Sequence, residues 1–440
     1  MNQILQQGQT VRVDPSGVLL TVGRFLGGGG QGEVYQAEVA GKAMALKWYF
    51  SATATAEQRS ILETLIAQGP PDEQFLWPLE LVSAPDLEGF GYVMPLRASR
   101  YKGIVDLMKR RIEPTFRALA TAGLALAHSF LQLHAKGLCY RDISFGNVFF
   151  DPKAGDILIC DNDNVAVDGQ EVGGVNGTPR FMAPEIVRGE AAPSTQTDLF
   201  SLSVLLFYMF MVHHPLEGKK ELSIHCLDLP AMKRLYGTEP VFVFDPADDS
   251  NQPVRGHHDN ALAFWPIYPQ FLRELFTKAF TDGIRDPLGG RIRESQWRAA
   301  MVRLRDAIVY CASCGAENFY DVDLLRASGR RANTCWSCNR AIRLPPRIRV
   351  GEHILVLNHD AQLFPHHVDD QPTYDFSEPI AAVVQHPTDP SIWGLKNLSE
   401  QKWVITTADN TVKDVEPGRS LTLAAGIKVN FGKTEGEIRV

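Results

Sequence analysis

The sequence predicts a multi-domain chain with a small, mostly β lobe, a larger helical lobe, a short cysteine-rich module and a final all-β segment. Three changes of pattern along its 440 residues support this division. Short β-type runs separated by glycine fill about the first 95 residues, helical periodicity dominates from residue 115 to about 307, and strand-like runs return from residue 347. A chain of this length has room for about three domains.

The composition is that of an ordinary globular protein, with 45% hydrophobic and 22% charged residues and a net charge of −7. It excludes a disordered or fibrous chain and gives no general reason to expect binding to nucleic acid or to an anionic membrane. The longest strongly apolar stretch, residues 199–212, is too short to cross a bilayer and predicts a buried core helix. Because the N-terminus lacks the pattern of a secretory signal, we expect a cytoplasmic protein without membrane association.

The small lobe is predicted to contain four strands and one helix. The strands are expected at residues 18–25, 33–39, 43–49 and 91–94, and the helix at residues 54–68. The turn between the first two strands reads Leu26-Gly27-Gly28-Gly29-Gly30-Gln31-Gly32-Glu33-Val34 and matches G-x-G-x-x-G-x-V. Glycines let a backbone approach phosphate groups closely, although a four-glycine run also suits an ordinary hairpin turn.

A lysine follows this turn on the third predicted strand. Lys47 has small and apolar neighbours, so its ammonium group needs a counter-charge. Glu63 in the predicted helix is well placed to supply it, and Glu57 is the competing candidate. A surface lysine beside a solvated helix is the alternative interpretation.

Three later segments decide between these interpretations. Residues 138–150 read LCYRDISFGNVFF, residues 157–163 read ILICDND, and residues 177–185 read GTPRFMAPE. With the glycine turn and the lysine, their order and spacing resemble the eukaryotic-like protein kinase family over about the first 305 residues. The resemblance implies an α+β bilobal protein kinase fold, with residues 1–95 as the N-lobe and residues 96–306 as the C-lobe.

The resemblance also implies an ATP- and Mg²⁺-dependent serine/threonine kinase and assigns roles to its residues. Asp142 would be the catalytic base, Lys47 would hold the α- and β-phosphates, and Glu63 would orient Lys47. Asn147 and Asp161 would be the Mg²⁺ ligands. The residues expected around ATP are Gly27, Gly29, Gly32, Val34, Ala45, Lys47, Met94, Pro95 and Arg97. Within this set Met94 resembles the gatekeeper, and Pro95 and Arg97 offer the hinge carbonyl and amide that read adenine.

Two further residues match structural positions of the family. Asp198 resembles the aspartate that braces the catalytic loop, and Arg291 is the candidate partner of Glu185. Four other positions depart from the family pattern, namely Tyr140, Ser144, Asn162 and Asp163. Asp163 could crowd the metal site, assist it or cap a turn, and turn capping is the favoured interpretation. These departures keep open the alternative of a pseudokinase scaffold that binds nucleotide and partner proteins without efficient phosphoryl transfer.

Two Cys-x-x-Cys pairs, Cys311/Cys314 and Cys335/Cys338, predict a structural Zn²⁺ site of the zinc-ribbon type in residues 307–345. Four free thiols in a small core are the alternative. Seven arginines and no acidic residue lie between positions 326 and 349, at 326, 330, 331, 340, 343, 347 and 349. Docking onto an acidic protein surface is at least as good an explanation of this patch as nucleic acid, which we consider an unlikely partner.

Residues 346–440 predict an all-β sandwich whose end resembles a forkhead-associated domain. The phosphate-reading elements of that family are not recognisable, so a partner-docking role is favoured. Kinase, zinc ribbon and sandwich together resemble the kinases of bacterial phosphorylation triads associated with tellurite resistance. That resemblance implies a von Willebrand-type partner and a PP2C-type phosphatase. The histidine pairs at 213/214, 257/258 and 366/367 are expected to be surface residues.

Overall fold

A computed structural model describes residues 3–169, 177–327, 334–369 and 373–440. The chain divides into two compact units. The first comprises Met1–Pro114, Ala122–Leu262 and Leu275–Arg298, and the second comprises Thr115–Thr121, Ala263–Glu274 and Ala299–Val440. The second unit therefore combines the C-terminal region with three stretches that the sequence assigns to the helical lobe.

The first unit begins with a closed antiparallel barrel of six strands. One helix lies between the fourth and fifth strands in the chain. These elements are β1 (Thr10–Asp14), β2 (Leu19–Gly28), β3 (Gly32–Val39), β4 (Lys42–Tyr49), α1 (Ala56–Gln68), β5 (Glu80–Ala84) and β6 (Leu87–Pro95). The strand order is β1-β2-β3-β4-β6-β5, and β1 closes the barrel by pairing with both β2 and β5. Alternate side chains of these strands fill the barrel, as expected for strands with one buried face.

Helices and short strands follow the barrel. They are β7 (Lys102–Gly103), α2 (Ile104–Met108), α3 (Phe116–Ala135), β8 (Leu138–Cys139), β9 (Val148–Phe150), β10 (Ile157–Ile159), β11 (Ala166–Val167), α4 (Pro184–Arg188), α5 (Thr195–Met211), α6 (Lys219–Leu222), α7 (Leu229–Met232), α8 (Asp259–Phe264), α9 (Gln270–Phe280), α10 (Asp282–Arg285) and α11 (Glu294–Asp306). Two 3₁₀ turns, Asn162–Asn164 and Asp249–Asn251, and a π-helical turn, Lys233–Thr238, lie among them.

Helix α5 is the buried helix that the sequence predicts at residues 199–212. It starts with a capping box, in which Ser194 accepts a hydrogen bond from the Thr197 amide and the Thr197 hydroxyl accepts one from the Ser194 amide. Every residue from Thr197 to Met211 is buried. A helix that is apolar on all sides requires protein on all sides, so α5 is a fixed internal support.

The β-rich C-terminal region belongs to the second unit. Its elements are β12 (Ile308–Tyr310), β13 (Glu317–Phe319), α12 (Val322–Ala327), β14 (Arg347–Val350), β15 (His353–Val356), β16 (Gln362–Leu363), α13 (Pro365–Val368), β17 (Ala381–Gln385), β18 (Trp393–Asn397), β19 (Trp403–Thr406), β20 (Val412–Val415), β21 (Ser420–Thr422), β22 (Lys428–Asn430) and β23 (Glu435–Arg439). They form a β12-β13 pair, a six-stranded sheet ordered β15-β14-β23-β22-β19-β20 and a four-stranded sheet ordered β16-β17-β18-β21. Side chains of both larger sheets share one hydrophobic cluster that includes Ile348, Leu395 and Trp403.

The histidine prediction is wrong for four of the six paired residues. His214, His258, His366 and His367 are buried. The prediction assumed strands, in which neighbours point to opposite faces, whereas these residues lie in turns and in helix α13. The imidazole nitrogens of His214 and His258 accept backbone amide hydrogens from Leu216 and Val254, and that of His367 accepts one from Phe364, which suits ring nitrogens in a dry interior.

Within the described residues, no helix is both long and apolar enough to span a bilayer.

The expected pairing of Arg291 with Glu185 is confirmed. The guanidinium donates to both carboxylate oxygens at 2.6 and 2.8 Å and to the Gln196 carbonyl at 2.6 Å, and its side chain is 2% exposed. Both contacts to Glu185 come from one guanidinium nitrogen, Nη2, and such charge-assisted hydrogen bonds in a buried pair are short and strong.

We predict that Arg291→Met destabilises the protein by about 3–5 kcal/mol, because it leaves the Glu185 carboxylate buried without its partner. Arg285→Met is the matched control, since Arg285 forms an exposed pair with Asp282 at 3.8 Å and should cost less than about 1 kcal/mol. Urea unfolding followed by tryptophan fluorescence measures both. If both variants lowered the free energy of unfolding equally, the buried pair would contribute no more to stability than the exposed pair, and the prediction would be wrong.

Candidate active site

The glycine turn connects β2 to β3 and is closed by a hydrogen bond from the Gly29 amide to the Gly32 carbonyl at 2.9 Å. Gly32 must be glycine, because a Cβ there would lie 2.2 Å from the Trp48 carbonyl oxygen. A Cβ at Gly27 or Gly29 would meet no atom within 4 Å. Packing within the protein therefore does not require these two glycines, and the free space suits a phosphate group approaching the backbone.

Lys47 lies on β4 and is only 4% exposed. Its ammonium group donates to both carboxylate oxygens of Asp163 at 2.8 and 3.0 Å, to Asp161 at 3.2 Å and to the Gln31 side chain at 3.1 Å. Burial lowers the pKa of Lys47, but the charges and hydrogen bonds of Asp163 and Asp161 outweigh it and the pKa is raised. The lysine is therefore held as a cation beside the glycine turn.

The structure does not bring Glu63 to Lys47. Glu63 has a 56% exposed side chain and pairs with Arg59 one turn earlier in α1 at 3.2 Å. Helix α1 buries Leu62 and Leu65, and a residue next to Leu62 in the chain points about 100° away from that face. Glu57, the competing candidate, is exposed as well.

Gln58 is the residue of α1 that reaches the lysine environment, and the sequence interpretation missed it. It lies four residues before Leu62 and so shares the buried face. Its side-chain amide donates to the Tyr49 hydroxyl at 3.3 Å and to the Asp163 carbonyl at 3.2 Å. The spacing of four residues between Gln58 and Leu62 is the sequence feature that could have identified Gln58 as inward-facing.

The expected catalytic base is positioned by side chains from two segments. Asp142 accepts a hydrogen bond from the Thr178 hydroxyl at 2.8 Å and another from the Asn147 amide at 3.1 Å. Burial raises the pKa of Asp142 and these hydrogen bonds lower it, with a net upward shift. The carboxylate that would accept a hydroxyl proton is thus partly desolvated and fixed in orientation.

Asp198 braces the catalytic loop, as the sequence predicts. Its carboxylate accepts hydrogen bonds from the backbone amides of Tyr140 and Arg141. Arg141 has a φ of 75°, a left-handed conformation that needs external support in a non-glycine residue. The carboxylate on α5 provides that support one residue before Asp142.

The two expected metal ligands lie at the ends of a paired β9-β10 hairpin. Val148 pairs with Ile159, and the Cys160 amide donates to the Asn147 carbonyl at 2.8 Å. Asn147 and Asp161 are thereby held on adjacent segments. The Asp161 side chain is 40% exposed, which leaves its oxygens accessible to a cation. An amide oxygen and a carboxylate suit a hard cation such as Mg²⁺.

The turn-capping interpretation of Asp163 is wrong. Asp163 lies in the 3₁₀ turn after Asp161, and its buried carboxylate accepts hydrogen bonds from Lys47 and from the Tyr49 hydroxyl. Tyr140, another departure from the family, donates its hydroxyl to the Cys160 carbonyl. Both residues that depart from the family pattern therefore form hydrogen bonds inside the protein.

The residues expected around adenine are distributed over β3, β4 and β6. Ala45 pairs with Met94 across β4 and β6, and both belong to a hydrophobic cluster against which Val34 packs. Pro95 ends β6. The Arg97 guanidinium donates to the Tyr101 carbonyl at 2.7 Å and stacks over the Phe149 ring at 4.0 Å, so its side chain is occupied.

A second candidate site lies in the second unit. The sulfur atoms of Cys311, Cys314, Cys335 and Cys338 all lie within 4.8 Å of one another. The Cys311–Cys338 and Cys314–Cys335 separations are 3.6 and 3.7 Å, close to the roughly 3.8 Å between two sulfurs that share a tetrahedral Zn²⁺ at about 2.3 Å. The four-cysteine cluster is compatible with zinc binding.

The arginine-rich segment is only partly described. Arg330 and Arg331 lie outside the described residues. Arg326 pairs with Asp323 at 3.6 Å, and Arg347 stacks over the Tyr320 ring at 5.5 Å. Two of its cations are thus engaged within the same unit.

A lysine under a glycine turn, a braced aspartate, and an asparagine and an aspartate on adjacent segments are the arrangement of a protein kinase fold. A family model described as the protein kinase domain matches residues 20–255, which is more than half of the chain. The chain belongs to the protein kinase family.

Individual relatives match shorter parts of the chain. It is 29% identical over 206 residues to ribosomal protein S6 kinase alpha-4 of Mus musculus, covering 45% of this chain and 25% of that protein. It is 37% identical over 93 residues to protein kinase C delta type of Mus musculus, covering 20% and 13%. The cell cycle serine/threonine-protein kinase CDC5/MSD2 of Saccharomyces cerevisiae is 27% identical over 130 residues, covering 28% and 18%. The chain thus spans a quarter or less of the length of these relatives.

His134 gives the brace of the catalytic loop a pH dependence. Its ring contacts Glu294 through Nδ1 and Asp198 through Nε2, the latter at 3.2 Å. Burial lowers the pKa of His134, but these two carboxylates outweigh it and raise the pKa to about 9. In the unfolded chain the pKa is about 6.5.

We predict that this charge stabilises the fold fully below about pH 6.5 and that the contribution disappears as the pH rises through about 9. The free energy of unfolding should fall over this range by up to about 1.4 kcal/mol per pH unit. Unfolding midpoints measured across the range test this, with His134→Gln as the comparison. An unchanged slope in that variant would assign the pH dependence to other groups.

Proposed function

We propose that the protein is an ATP- and Mg²⁺-dependent kinase that transfers the γ-phosphate to serine or threonine hydroxyls of a protein substrate. The observation that carries the proposal is the fixed position of Asp142, which is held by Asn147 and Thr178 and placed by the brace from Asp198. If the site only bound nucleotide, the Asp142 carboxylate would not need a fixed orientation. Pseudokinases remain the second candidate, favoured by the departures at Ser144 and Asn162.

The residues would divide the work as follows. The glycine turn offers backbone amides to the phosphates, and Lys47 places a positive charge beside them. Asn147 and Asp161 would hold Mg²⁺, which neutralises phosphate charge when bound. Asp142 orients the substrate hydroxyl and accepts its proton at a carboxylate oxygen. Val34, Ala45 and Met94 give an apolar surface for adenine, with the Pro95 carbonyl and the Arg97 amide beside it.

We predict that Asp142→Asn lowers kcat by about 10²–10⁴-fold while nucleotide still binds, because the variant keeps the shape of the side chain but removes the proton acceptor. Incubation with labelled ATP and Mg²⁺ measures transfer to the protein or to a substrate. Asp86→Asn, an exposed position in the turn between β5 and β6, is the matched control and should retain the activity. A wild-type protein that transfers phosphate only at the background level, like Asp142→Asn, would favour the pseudokinase.

We propose in addition that the four cysteines hold a structural Zn²⁺ in a zinc ribbon. Cys311 and Cys335 are buried in a small hydrophobic cluster with Val309, Ile342 and Val356, so the site is closed on its inner side. Burial raises the pKa of Cys335, but hydrogen bonds from Asn318 and from backbone amides outweigh it and lower the pKa, which favours a thiolate.

We predict one zinc ion per wild-type chain and its loss in Cys335→Ser, together with a lower unfolding temperature. Metal analysis of the purified protein and thermal unfolding with and without a chelator measure these effects. Cys226→Ser is the control, because that thiol is exposed and outside the cluster. Equal zinc content in the two variants would contradict the assignment.

For the β-rich region we propose a sandwich with a forkhead-associated-like end that docks a partner, in the manner of the tellurite-associated triads, and a cytoplasmic location. The shared cluster of the two large sheets supports the sandwich. A von Willebrand-type partner and a PP2C-type phosphatase are the expected binding proteins. Because the second unit includes residues 115–121 and 263–274, a truncation at residue 307 would divide it, and a binding test requires the full chain.

A further inference from the structure

The Asp163 carboxylate is the most deeply buried negative charge beside Lys47. Its side chain is fully buried, whereas that of Asp161 is 40% exposed. Lys47 contacts both oxygens of Asp163 at 2.8 and 3.0 Å but only one oxygen of Asp161, at 3.2 Å. A buried ammonium group without a counter-charge lowers stability by several kcal/mol. Asp163, as the more buried and closer acid, therefore supplies most of the counter-charge of Lys47.

Asp163 is itself held from two other elements. The Tyr49 hydroxyl, two residues after Lys47 on β4, donates to the same carboxylate. From α1, Gln58 donates both to the Tyr49 hydroxyl and to the Asp163 backbone carbonyl. The contribution of α1 to this cluster is therefore a neutral amide, and the acidic residues of its first and second turns, Glu57 and Glu63, are exposed.

We propose that Asp163 is the positioning residue that holds Lys47 in the nucleotide site, in place of a carboxylate on helix α1. This inference rests on the proposed kinase function and adds to it the residue that positions the lysine. The usual family arrangement takes the counter-charge of the lysine from the helix. Here it comes from the 3₁₀ turn that follows the metal ligand.

The arrangement divides two tasks between acids that are two residues apart. Asp161 remains exposed and available to a cation, while Asp163 stays with Lys47. One rigid turn then sets the positions of the lysine and of the metal ligand together. Assembly of the nucleotide site consequently does not require a rotation of α1 that would bring a glutamate inward.

The first experiment compares Asp163→Asn with Glu63→Gln, which make the same chemical change at the two rival positions. Equilibrium binding of ATP without turnover and the separate values of KM and kcat are measured. Asp163→Asn should weaken ATP binding and raise KM for ATP by at least about tenfold, as expected when a buried charge loses its partner. Glu63→Gln should change both by less than about twofold. The reverse order, or equal effects, would overturn the inference.

A second variant separates positioning from general support of the fold. Gln58→Glu introduces a carboxylate from α1 into the same cluster. In the Asp163→Asn background it should restore ATP binding, because the counter-charge returns from the other side. A purely structural role of Asp163 would give no rescue, and that result would overturn the inference.

A third measurement is independent of nucleotide and of catalysis. In a double-mutant cycle of Lys47→Met and Asp163→Asn on the unfolding temperature, the two changes should be strongly non-additive, since each leaves the other charge unpaired. The same cycle with Glu63→Gln should be additive. Additivity of Lys47→Met and Asp163→Asn would overturn the pairing even if the protein proved to be an active kinase. A wild-type protein that shows the coupling but transfers no phosphate would instead refute the proposed function alone.

Discussion

A buried ammonium group must have an opposite charge beside it, and the first unit satisfies this requirement at Lys47. The strand that carries the lysine runs between β3 and β6, with Lys47 paired to Val34 on one side and to Tyr92 on the other. The neighbouring strands approach it closely. A Cβ at Gly91 would lie 2.3 Å from the Lys47 carbonyl oxygen, so glycine is required there for β6 to pack against β4. The counter-charge cannot come from solvent and has to come from the chain.

A continuous set of contacts connects Lys47 in the barrel to the buried helix α5. Asp198 on α5 holds the amides of the catalytic loop, and Tyr140 in this loop donates to the carbonyl of Cys160. Asp161 and Asp163 follow directly and contact Lys47. Apart from the contact with the partly exposed Asp161, these links are hydrogen bonds or ion pairs with little access to water, where such bonds are strong and an unpaired partner is costly. Asp142, Asp161 and Lys47 therefore have a common support.

The parts of this site that could be predicted from sequence are those that recur at fixed spacings. The glycine turn, Lys47, Asp142, Asn147 and Asp161 could be proposed as site residues because phosphate chemistry requires the same residue types in the same order. The alternation of β3, the apolar run of β4 and the long apolar stretch of α5 likewise predict these elements. Strand β1 was not predicted, although Thr10–Asp14 alternates polar and buried apolar residues, and its pairing with β2 and β5 shows its role.

The counter-charge could not be predicted in the same way. Glu63 has the right chemistry and a plausible spacing, but the orientation of a helix is decided by the side chains that it buries. Leu62 and Leu65 turn α1 so that Gln58 faces inward and Glu63 faces outward. The hydrophobic effect of two leucines exceeds what a glutamate would gain from a salt bridge after paying for its own desolvation. In this structure the acid comes instead from the buried 3₁₀ turn, at position 163, where the sequence departs from the family pattern.

A similar argument applies to the second unit, where packing rather than motif decides what belongs together. The cysteine pairs are separated in sequence from the β-rich region by two prolines, which suggests independent modules. In the structure Val356 of β15 packs in the same cluster as Cys311 and Cys335, and the Asn358 amide donates to the Ile308 carbonyl at 2.7 Å. A cluster of this size is too small to be stable alone and needs the neighbouring surface to complete its core. The cysteine cluster and the first strands of the larger sheet therefore share one small core.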